Sequence, residues 1–489
     1  MIYKNSMNYR PLYSIAVALL MIVGLAGCKR EGGSGSEPTP PTPPQMPTIK
    51  IPRGELRAVW MTTAWELDWP RSNYNPQVQR ELYVERLDLL HKHHFNAVFF
   101  QVRPMGDAFY DSKYEPWSKF ITGKRGQDPG YDVLGFMIKE AHERGMEFHA
   151  WINPYRIETR PNNKKAFGPL HPSIPREWVW DLEKIRMYNP ALPEVRQRLL
   201  DIIDELLTKY PGIDGIHFDD YFYPEQSQGA FDDAADYKKY GSEYSTITDF
   251  RIDNVNKMVS SVSQMLRTKH PGVTFSISPG SNAEHNLKDL YADTPHWCKN
   301  GWLDLIIPQL YQATNPTSQS GFYQRLSWFC QFSYKTPLAV GHAAYRVGEE
   351  GFSTNADEIS KQIAIARKDP RVYGGIYYRL QDLVDNRGGI LDRLSKEYPT
   401  VMPLPCFSRT TKAVSPVRDL SYKDGRLTWV TTGKTRSVVY FTSSVEQEAV
   451  VLDITEGSSL EVSRKGYYCV TALNEDNLQS KISEVLELK

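Results

Sequence analysis

The stretch GIDGIHFDDYFYP, residues 212–224, places two adjacent acids, Asp219 and Asp220, directly after an apolar run. Burying a charged side chain is unfavourable unless the charge is paired or used. Side chains alternate in direction along a strand, so Asp219 shares a face with His217, whereas Asp220 points the other way. If this strand belongs to a barrel, Asp219 faces inward and is the stronger catalytic candidate. Asp220 would support it, or would turn into the cleft if the strand ends there; the alternative is a purely structural role for both acids.

Seven other apolar runs resemble this one, and amphipathic stretches separate them. Nearly continuous apolar content is typical of parallel strands covered on both faces. The eight predicted strands cover residues 56–63, 95–103, 146–153, 213–221, 273–279, 303–311, 337–344 and 372–379, and the clearest helices cover 81–94, 132–144, 194–210, 249–270 and 355–368. This rhythm predicts a (β/α)8 TIM barrel over residues 50–405. A doubly wound open sheet is the alternative, but no Gly-rich phosphate loop follows the first strand.

Polar and aromatic side chains follow the predicted strands at the ends where such barrels carry their active sites. This mixture suits a sugar, whose C–H faces stack on aromatic rings and whose hydroxyl groups need fixed polar partners. The predicted substrate-binding residues are Trp65, Gln101, Arg103, Trp151, Asn153, Tyr155, Arg156, His217, Tyr221, Gln309, Tyr311 and Tyr378. The expected partner is therefore a poly- or oligosaccharide.

Glycoside hydrolysis needs one carboxyl group as acid and a second as nucleophile or base. Asp219 is the predicted nucleophile or base. The candidates for the acid are Asp220, Glu66 and Asp107, in that order. If the substrate is N-acetylated, its acetamido group is an alternative nucleophile.

Other chemistries find little support in the sequence. His217 and His342 are too few for a zinc or iron site at the mouth, so no metal or cofactor is expected. No GxSxG nucleophile motif is present. The formal net charge is zero and no basic block occurs, which argues against nucleic acid as a partner. The oligomeric state is left open.

The first residues predict a lipoprotein leader. Lys4 and Arg10 precede an apolar segment, 15–25, that is short for a membrane span and typical of a secretory signal. It ends in Leu-Ala-Gly-Cys at Cys28, which resembles a bacterial lipobox. We therefore expect a signal peptide over 1–27, a lipid on Cys28 as the sole membrane attachment, and a Gly/Ser/Pro-rich linker over 28–49. The expected location is the cell envelope, on the outer membrane.

The C-terminal residues 414–489 read as short strands, predicted at 419–422, 426–431, 437–442, 449–454 and 466–472. They resemble a fibronectin type III sandwich, with Trp429 as its core tryptophan and Tyr467 or Tyr468 near a strand corner. A spacer or packing role is favoured over carbohydrate binding. The remaining cysteines, Cys298, Cys330, Cys406 and Cys469, show no metal-ligand spacing and are expected to be buried thiols, with a disulfide left open.

The barrel resembles the bacterial glycosyl-hydrolase-like family 10. The resembling segments are RAVWMTTAWELDWP (57–70), NAVFFQVRPMGDAFYDSKYEPWS (96–118), PGYDVLGFMIKEAHERGMEFHAWINPYR (129–156), DGIHFDDYFYP (214–224), LYADTPHW (290–297) and DLIIPQLYQ (304–312). The motif around Asp219 is also similar to the fourth strand of alpha-amylase-type glycosidases, where an acid in that position is the nucleophile. The resemblance implies a glycan hydrolase, and a branch of the family acts on peptidoglycan strands stripped of peptides. SISPGSNAEHN (276–286) departs from the aromatic-rich run of relatives.

Three other functions compete with this interpretation. The barrel could hydrolyse an alpha-glucan or another dietary glycan. It could be a non-catalytic carbohydrate-binding lipoprotein. A metal-assisted deacetylase is a third alternative, which the few histidines argue against.

Overall fold

The computed structural model describes residues 48–160, 166–315, 318, 320–353, 356–409 and 411–489. The predicted leader, the lipid site at Cys28 and all but the last two residues of the predicted linker lie outside these residues. Ile49, at the end of that predicted linker, is buried against the C-terminal domain.

Eight parallel strands form a closed barrel. In chain order the strands are β1 Leu56–Met61, β2 Ala97–Arg103, β3 Glu147–Ile152, β4 Arg156–Thr159, β5 Val179–Asp181, β6 Ile185–Tyr188, β7 Gly215–Phe218, β8 Thr274–Ile277, β9 Leu305–Ile306, β10 Leu338–Ala343, β11 Val372–Tyr378, β12 Arg418–Lys423, β13 Arg426–Val430, β14 Arg436–Thr442, β15 Val450–Thr455, β16 Ser459–Glu461, β17 Gly466–Leu473 and β18 Leu486–Leu488. The barrel order is β1-β11-β10-β9-β8-β7-β3-β2. The predicted TIM barrel is confirmed, and the open-sheet alternative is wrong.

Helices cover the outside of the barrel. They are α1 Pro76–Lys92, α2 Lys119–Thr122, α3 Val133–Glu143, α4 Pro193–Lys209, α5 Ala234–Tyr240, α6 Ile247–Lys269, α7 Ala283–Lys288, α8 Thr294–Lys299, α9 Phe322–Phe332, α10 Asp357–Ala366, α11 Leu380–Val384 and α12 Ile390–Glu397. Helix α4 starts at Pro193, where a missing N–H costs nothing, and its apolar face is buried as its periodicity predicts.

Aromatic and imidazole rings fill the barrel interior. Phe99 and His149 stack with ring centroids 4.2 Å apart, and Phe99 meets His217 edge-on at 5.0 Å. All three side chains are buried. Because the interior is packed, a substrate can reach only the mouth formed by the carboxyl ends of the strands.

The structure departs from the predicted elements in two ways that bear on the site. Strands β4, β6 and β5 form a small antiparallel sheet after β3, which the sequence did not predict. Strand β7 ends at Phe218, three residues earlier than predicted. Both Asp219 and Asp220 therefore lie beyond the strand, where alternation no longer fixes their directions.

The C-terminal residues form the predicted β-sandwich. A three-stranded sheet, β12-β13-β16, and a four-stranded sheet, β15-β14-β17-β18, enclose a core that includes Trp429 and Tyr468. The Tyr468 hydroxyl donates to the backbone oxygen of Arg464 at 2.6 Å, a bond typical of the corner tyrosine in such sandwiches. The sequence did not predict β16 and β18. The narrower fibronectin type III assignment stays a prediction.

The four cysteines of the described residues are free thiols, and only Cys406 is partly exposed. Within the described parts of the chain, none of the helices combines the length and the apolar character needed to cross a membrane.

A buried ion pair braces the loop after β2. The side chains of Arg103 and Glu115 are each only 1% exposed. Arg103 Nε donates to Glu115 Oε2 at 2.7 Å, and its Nη1 donates to the backbone oxygens of Asn153 and Pro154. The guanidinium thereby ties the end of β2 to the loop after β3.

We predict that Glu115→Gln destabilises the fold by about 3–5 kcal/mol, because it leaves the Arg103 charge buried without its counterion. The measurement is the free energy of unfolding from urea denaturation. Glu284→Gln, which removes the exposed partner of Lys288, is the matched control and should leave the midpoint unchanged. Equal midpoints for both variants would contradict the bracing role.

Candidate active site

Asp219 follows β7, is only 4% exposed, and is held by two donors, Trp151 of β3 and Asn153, the residue after that strand. Trp151 Nε1 donates to Asp219 Oδ2 at 3.1 Å, and Asn153 Nδ2 lies 3.2 Å from each carboxylate oxygen. Burial raises the pKa of Asp219, whereas the Arg156 charge and these hydrogen bonds oppose that rise. Hydrogen bonds to a carboxylate favour its ionised form.

Asp220 has a different environment from its neighbour. It is partly exposed and hydrogen-bonds the Gln309 side chain. Burial, reinforced by the negative charge of Asp219, raises the pKa of Asp220 to about 7. Both carboxyl groups therefore have raised pKa values, and for Asp220 the charge of its neighbour adds to the effect of burial.

Tyrosine rings form one wall of the mouth. Tyr311 and Tyr378 stack with centroids 6.2 Å apart, and Tyr345 meets each of them edge-on at 5.9 Å. The charge of Asp220 contributes to raising the pKa of Tyr311, which places the two side chains in the same cleft. Such a wall offers flat faces to a sugar ring.

Two aromatic residues at the mouth are exposed. Tyr221 is 39% exposed, and the Arg156 guanidinium carbon lies 4.1 Å from the centroid of its ring. Trp65 is 46% exposed on the loop after β1. Both belong to the predicted substrate-binding residues, and both reach solvent at the mouth.

His217 lies beneath the acids rather than in contact with solvent. Its Nε2 accepts from Trp60 Nε1 at 3.1 Å, so its Nδ1 carries the proton and donates to Ser276 Oγ at 2.8 Å. Burial, followed by the charge of His149, lowers the pKa of His217 well below its usual value. We correct its predicted substrate contact: the neutral, fully buried imidazole supports the floor of the mouth.

Four further predicted site residues have structural roles: Arg103, Gln101, Tyr155 and Asp107. Their side chains are buried, and all but that of Tyr155 bond to the protein. Arg103 is held by Glu115, as described above. Gln101 Oε1 accepts from the backbone N–H groups of Thr63 and Ala64 at 3.1 and 2.9 Å. Tyr155 is buried in the outer core, with no partner for its hydroxyl among the described residues.

Asp107 is the fourth of these residues. Its side chain accepts from the backbone N–H of Met105 at 3.1 Å, and burial raises its pKa to about 6. It is 1% exposed and braces its own loop, and its role as the acid stays a prediction ranked below that of Asp220.

Glu66 lies at the rim of the mouth. Its carboxylate accepts from the hydroxyls of Ser72 and Tyr74, the latter at 2.7 Å. These two hydroxyls hold the carboxylate at the rim, away from Asp219, and Asp220 stays the first candidate for the acid.

Two mouth residues lie outside the predicted set. Tyr345 follows β10 and completes the tyrosine wall. Its position just after a barrel strand is the sequence feature that could have identified it as a mouth residue. Glu225 shares the loop of the two acids; its charge contributes to the raised pKa of Asp220, and its Oε1 lies 3.6 Å from His285 Nε2. Among the described residues, no group of three His, Cys, Asp or Glu side chains is arranged to hold a metal ion.

Comparisons with known proteins agree with this geometry. The family model described as glycosyl hydrolase-like 10 matches residues 55–358. The glycosyl hydrolase YngK of Bacillus subtilis (strain 168) is 37% identical over 383 residues, which are 73% of this chain and 75% of that protein. The glycosyl hydrolase DigH of Escherichia coli (strain K12) is 34% identical over 412 residues, covering 76% of this chain and 92% of that protein.

A solved structure, the PgaB (BpsB) glycoside hydrolase domain from Bordetella bronchiseptica, aligns with a TM-score of 0.48 at 12% identity over 70% of this chain and 98% of that chain. The family match spans most of the barrel, including both acids of the mouth. The chain therefore belongs to the glycosyl hydrolase-like 10 family and is a glycoside hydrolase.

Proposed function

We propose that this protein cleaves the glycosidic bonds of peptide-free peptidoglycan strands, with Asp219 as nucleophile or base and Asp220 as general acid. The observation that carries the assignment is the contrast between two adjacent carboxyl groups. Asp219 accepts hydrogen bonds from Trp151 and Asn153, whereas Asp220 is held near the negative charge of Asp219. Paired carboxyls with separated pKa values divide into base and acid.

The reaction follows from this division. Asp220 gives its proton to the glycosidic oxygen as the bond between that oxygen and the anomeric carbon breaks. The Asp219 carboxylate either bonds to the anomeric carbon or takes a proton from the water that does so. Trp151 and Asn153 hold the carboxylate in position, and the tyrosine wall binds the sugar rings.

The choice of glycan rests on the family resemblance and on the predicted leader. An acylated Cys28 would tether the enzyme to the outer membrane through the linker, beside the polymer we assign as its substrate. The C-terminal sandwich, which we assign to the fibronectin type III type, would act as a spacer. Starch and peptide-free strands, offered side by side, separate this proposal from a nutritional glucan hydrolase.

We predict that Asp219→Asn lowers the release of reducing ends from purified peptide-free strands by at least about 10³-fold, because the amide can neither attack nor accept a proton. The variant should still bind the strands, since its shape is nearly unchanged. Asp88→Asn, which makes the same change on the exposed face of α1, is the control. Full activity of Asp219→Asn would exclude the proposed mechanism.

The pH dependence of kcat/KM tests the acid. Asp220 must be protonated to act, and its pKa is raised to about 7, so activity should fall as the pH rises through about 7. Activity should also fall at low pH, where Asp219 becomes protonated. The acidic and alkaline limbs of this profile report the apparent pKa values of Asp219 and Asp220 as a coupled pair.

We predict that Asp220→Asn removes the alkaline limb and lowers strand cleavage by about 10²–10⁴-fold. With a 4-nitrophenyl glycoside of the same oligosaccharide, the leaving group needs no proton, so the variant should keep most of its activity. An unchanged alkaline limb in Asp220→Asn would assign the acid to another residue.

A further inference from the structure

The side chain of Arg156 has a position in the mouth that its protein contacts do not explain. Its guanidinium lies over the Tyr221 ring, with 4.1 Å from its central carbon to the ring centroid. Its Nε is buried without a hydrogen-bond partner among the described residues. In the described parts of the chain, no carboxylate oxygen lies within 4.0 Å of its nitrogens.

Other largely buried arginines of the barrel are paired. Arg103 binds Glu115, Arg186 binds Asp181 through two nitrogens at 2.6 and 2.9 Å, and Arg251 binds Asp233 at 2.6 Å. The fold thus supplies carboxylates to these three arginines, whereas Arg198 and Arg325 bond backbone and hydroxyl oxygens instead. Arg156 is partly exposed at the mouth and lacks such a partner.

The backbone of Arg156 is nevertheless fixed relative to Asp219. The backbone N–H of Arg156 donates to Asn153 Oδ1 at 3.0 Å, while Asn153 Nδ2 contacts the Asp219 carboxylate. One amide side chain therefore aligns both groups. An anion held by Arg156 would belong to the sugar that lies at, or next to, Asp219.

We propose that Arg156 recognises a carboxylate on the substrate sugar. The planar guanidinium matches a carboxylate with two parallel hydrogen bonds, and stacking on Tyr221 leaves the edge of the fork free for them. The positive charge also offsets the repulsion between this carboxylate and Asp219.

This inference rests on the proposed function and deepens it. In peptidoglycan strands, the lactyl ether of muramic acid carries a free carboxylate only where the stem peptide has been removed; an attached peptide turns it into a neutral amide. Arg156 would therefore select peptide-free strands. A uronic acid carries the same group at another position of the ring, and the experiment separates the two sources.

The test compares kcat/KM on peptide-free strands with kcat/KM on the same strands after their carboxylates have been converted to methylamides. The wild type should prefer the carboxylate form by about tenfold to a hundredfold, the range expected for a charge-assisted hydrogen bond. Arg156→Gln should bring the ratio close to one, and Arg156→Lys should give an intermediate ratio. Any general effect of Arg156 on Asp219 acts on both substrates and cancels in the ratio.

Arg426→Gln removes the same charge from the exposed surface of the C-terminal domain and should leave the ratio unchanged. A preference that survives in Arg156→Gln, or that is absent from the wild type, overturns the inference. If the wild type cleaves both strand forms at equal rates, the inference about Arg156 fails and the proposed function still holds. Arg156-dependent cleavage of glucuronate-containing oligosaccharides, with strands left intact, would keep the inference and overturn the proposed substrate.

Discussion

The hydrogen bonds from Trp151 and Asn153 to the Asp219 carboxylate are the constraint on which the site depends. Strand β7 ends at Phe218, so the backbone ladder does not fix the side chain that follows. The donors come from β3 and the residue after it, at a separation of 66 residues for Asn153. The parallel pairing of β3 with β7 brings them to Asp219, and together they orient the carboxylate and stabilise its charge.

The neighbouring carboxyl group responds to both burial and the charge on Asp219. Burial raises the pKa of Asp220, and the negative charge beside it adds to that rise, so Asp220 keeps its proton to higher pH. His217, beneath the pair, adds no charge, because it is neutral and its nitrogens are occupied by Trp60 and serine hydroxyls. The acid and base roles that we propose therefore rest on the local environments of two chemically identical side chains.

The sequence was sufficient for the barrel and for the position of Asp219 at the end of a barrel strand, because both depend on local patterns: apolar runs at regular intervals and a pair of acids after one of them. The sheet formed by β4, β6 and β5 was not predictable in this way, since its strands are short and pair only with one another. The role of Arg103 was also hidden. Its partner, Glu115, lies in the loop after β2, and no sequence periodicity predicts the contact between the two side chains. The direction of the Asp220 side chain depends on where β7 ends. The alternation of side chains along a strand does not reveal that end.

The most direct test of the central claim is a crystal structure of the Asp219→Asn variant with a peptide-free peptidoglycan oligosaccharide. The account predicts a sugar in the mouth, with the Asp220 carboxyl within hydrogen-bond distance of the glycosidic oxygen and the side chain of residue 219 beside the anomeric carbon. An oligosaccharide bound elsewhere, or bound in the mouth with both residues turned away from the scissile bond, would contradict it.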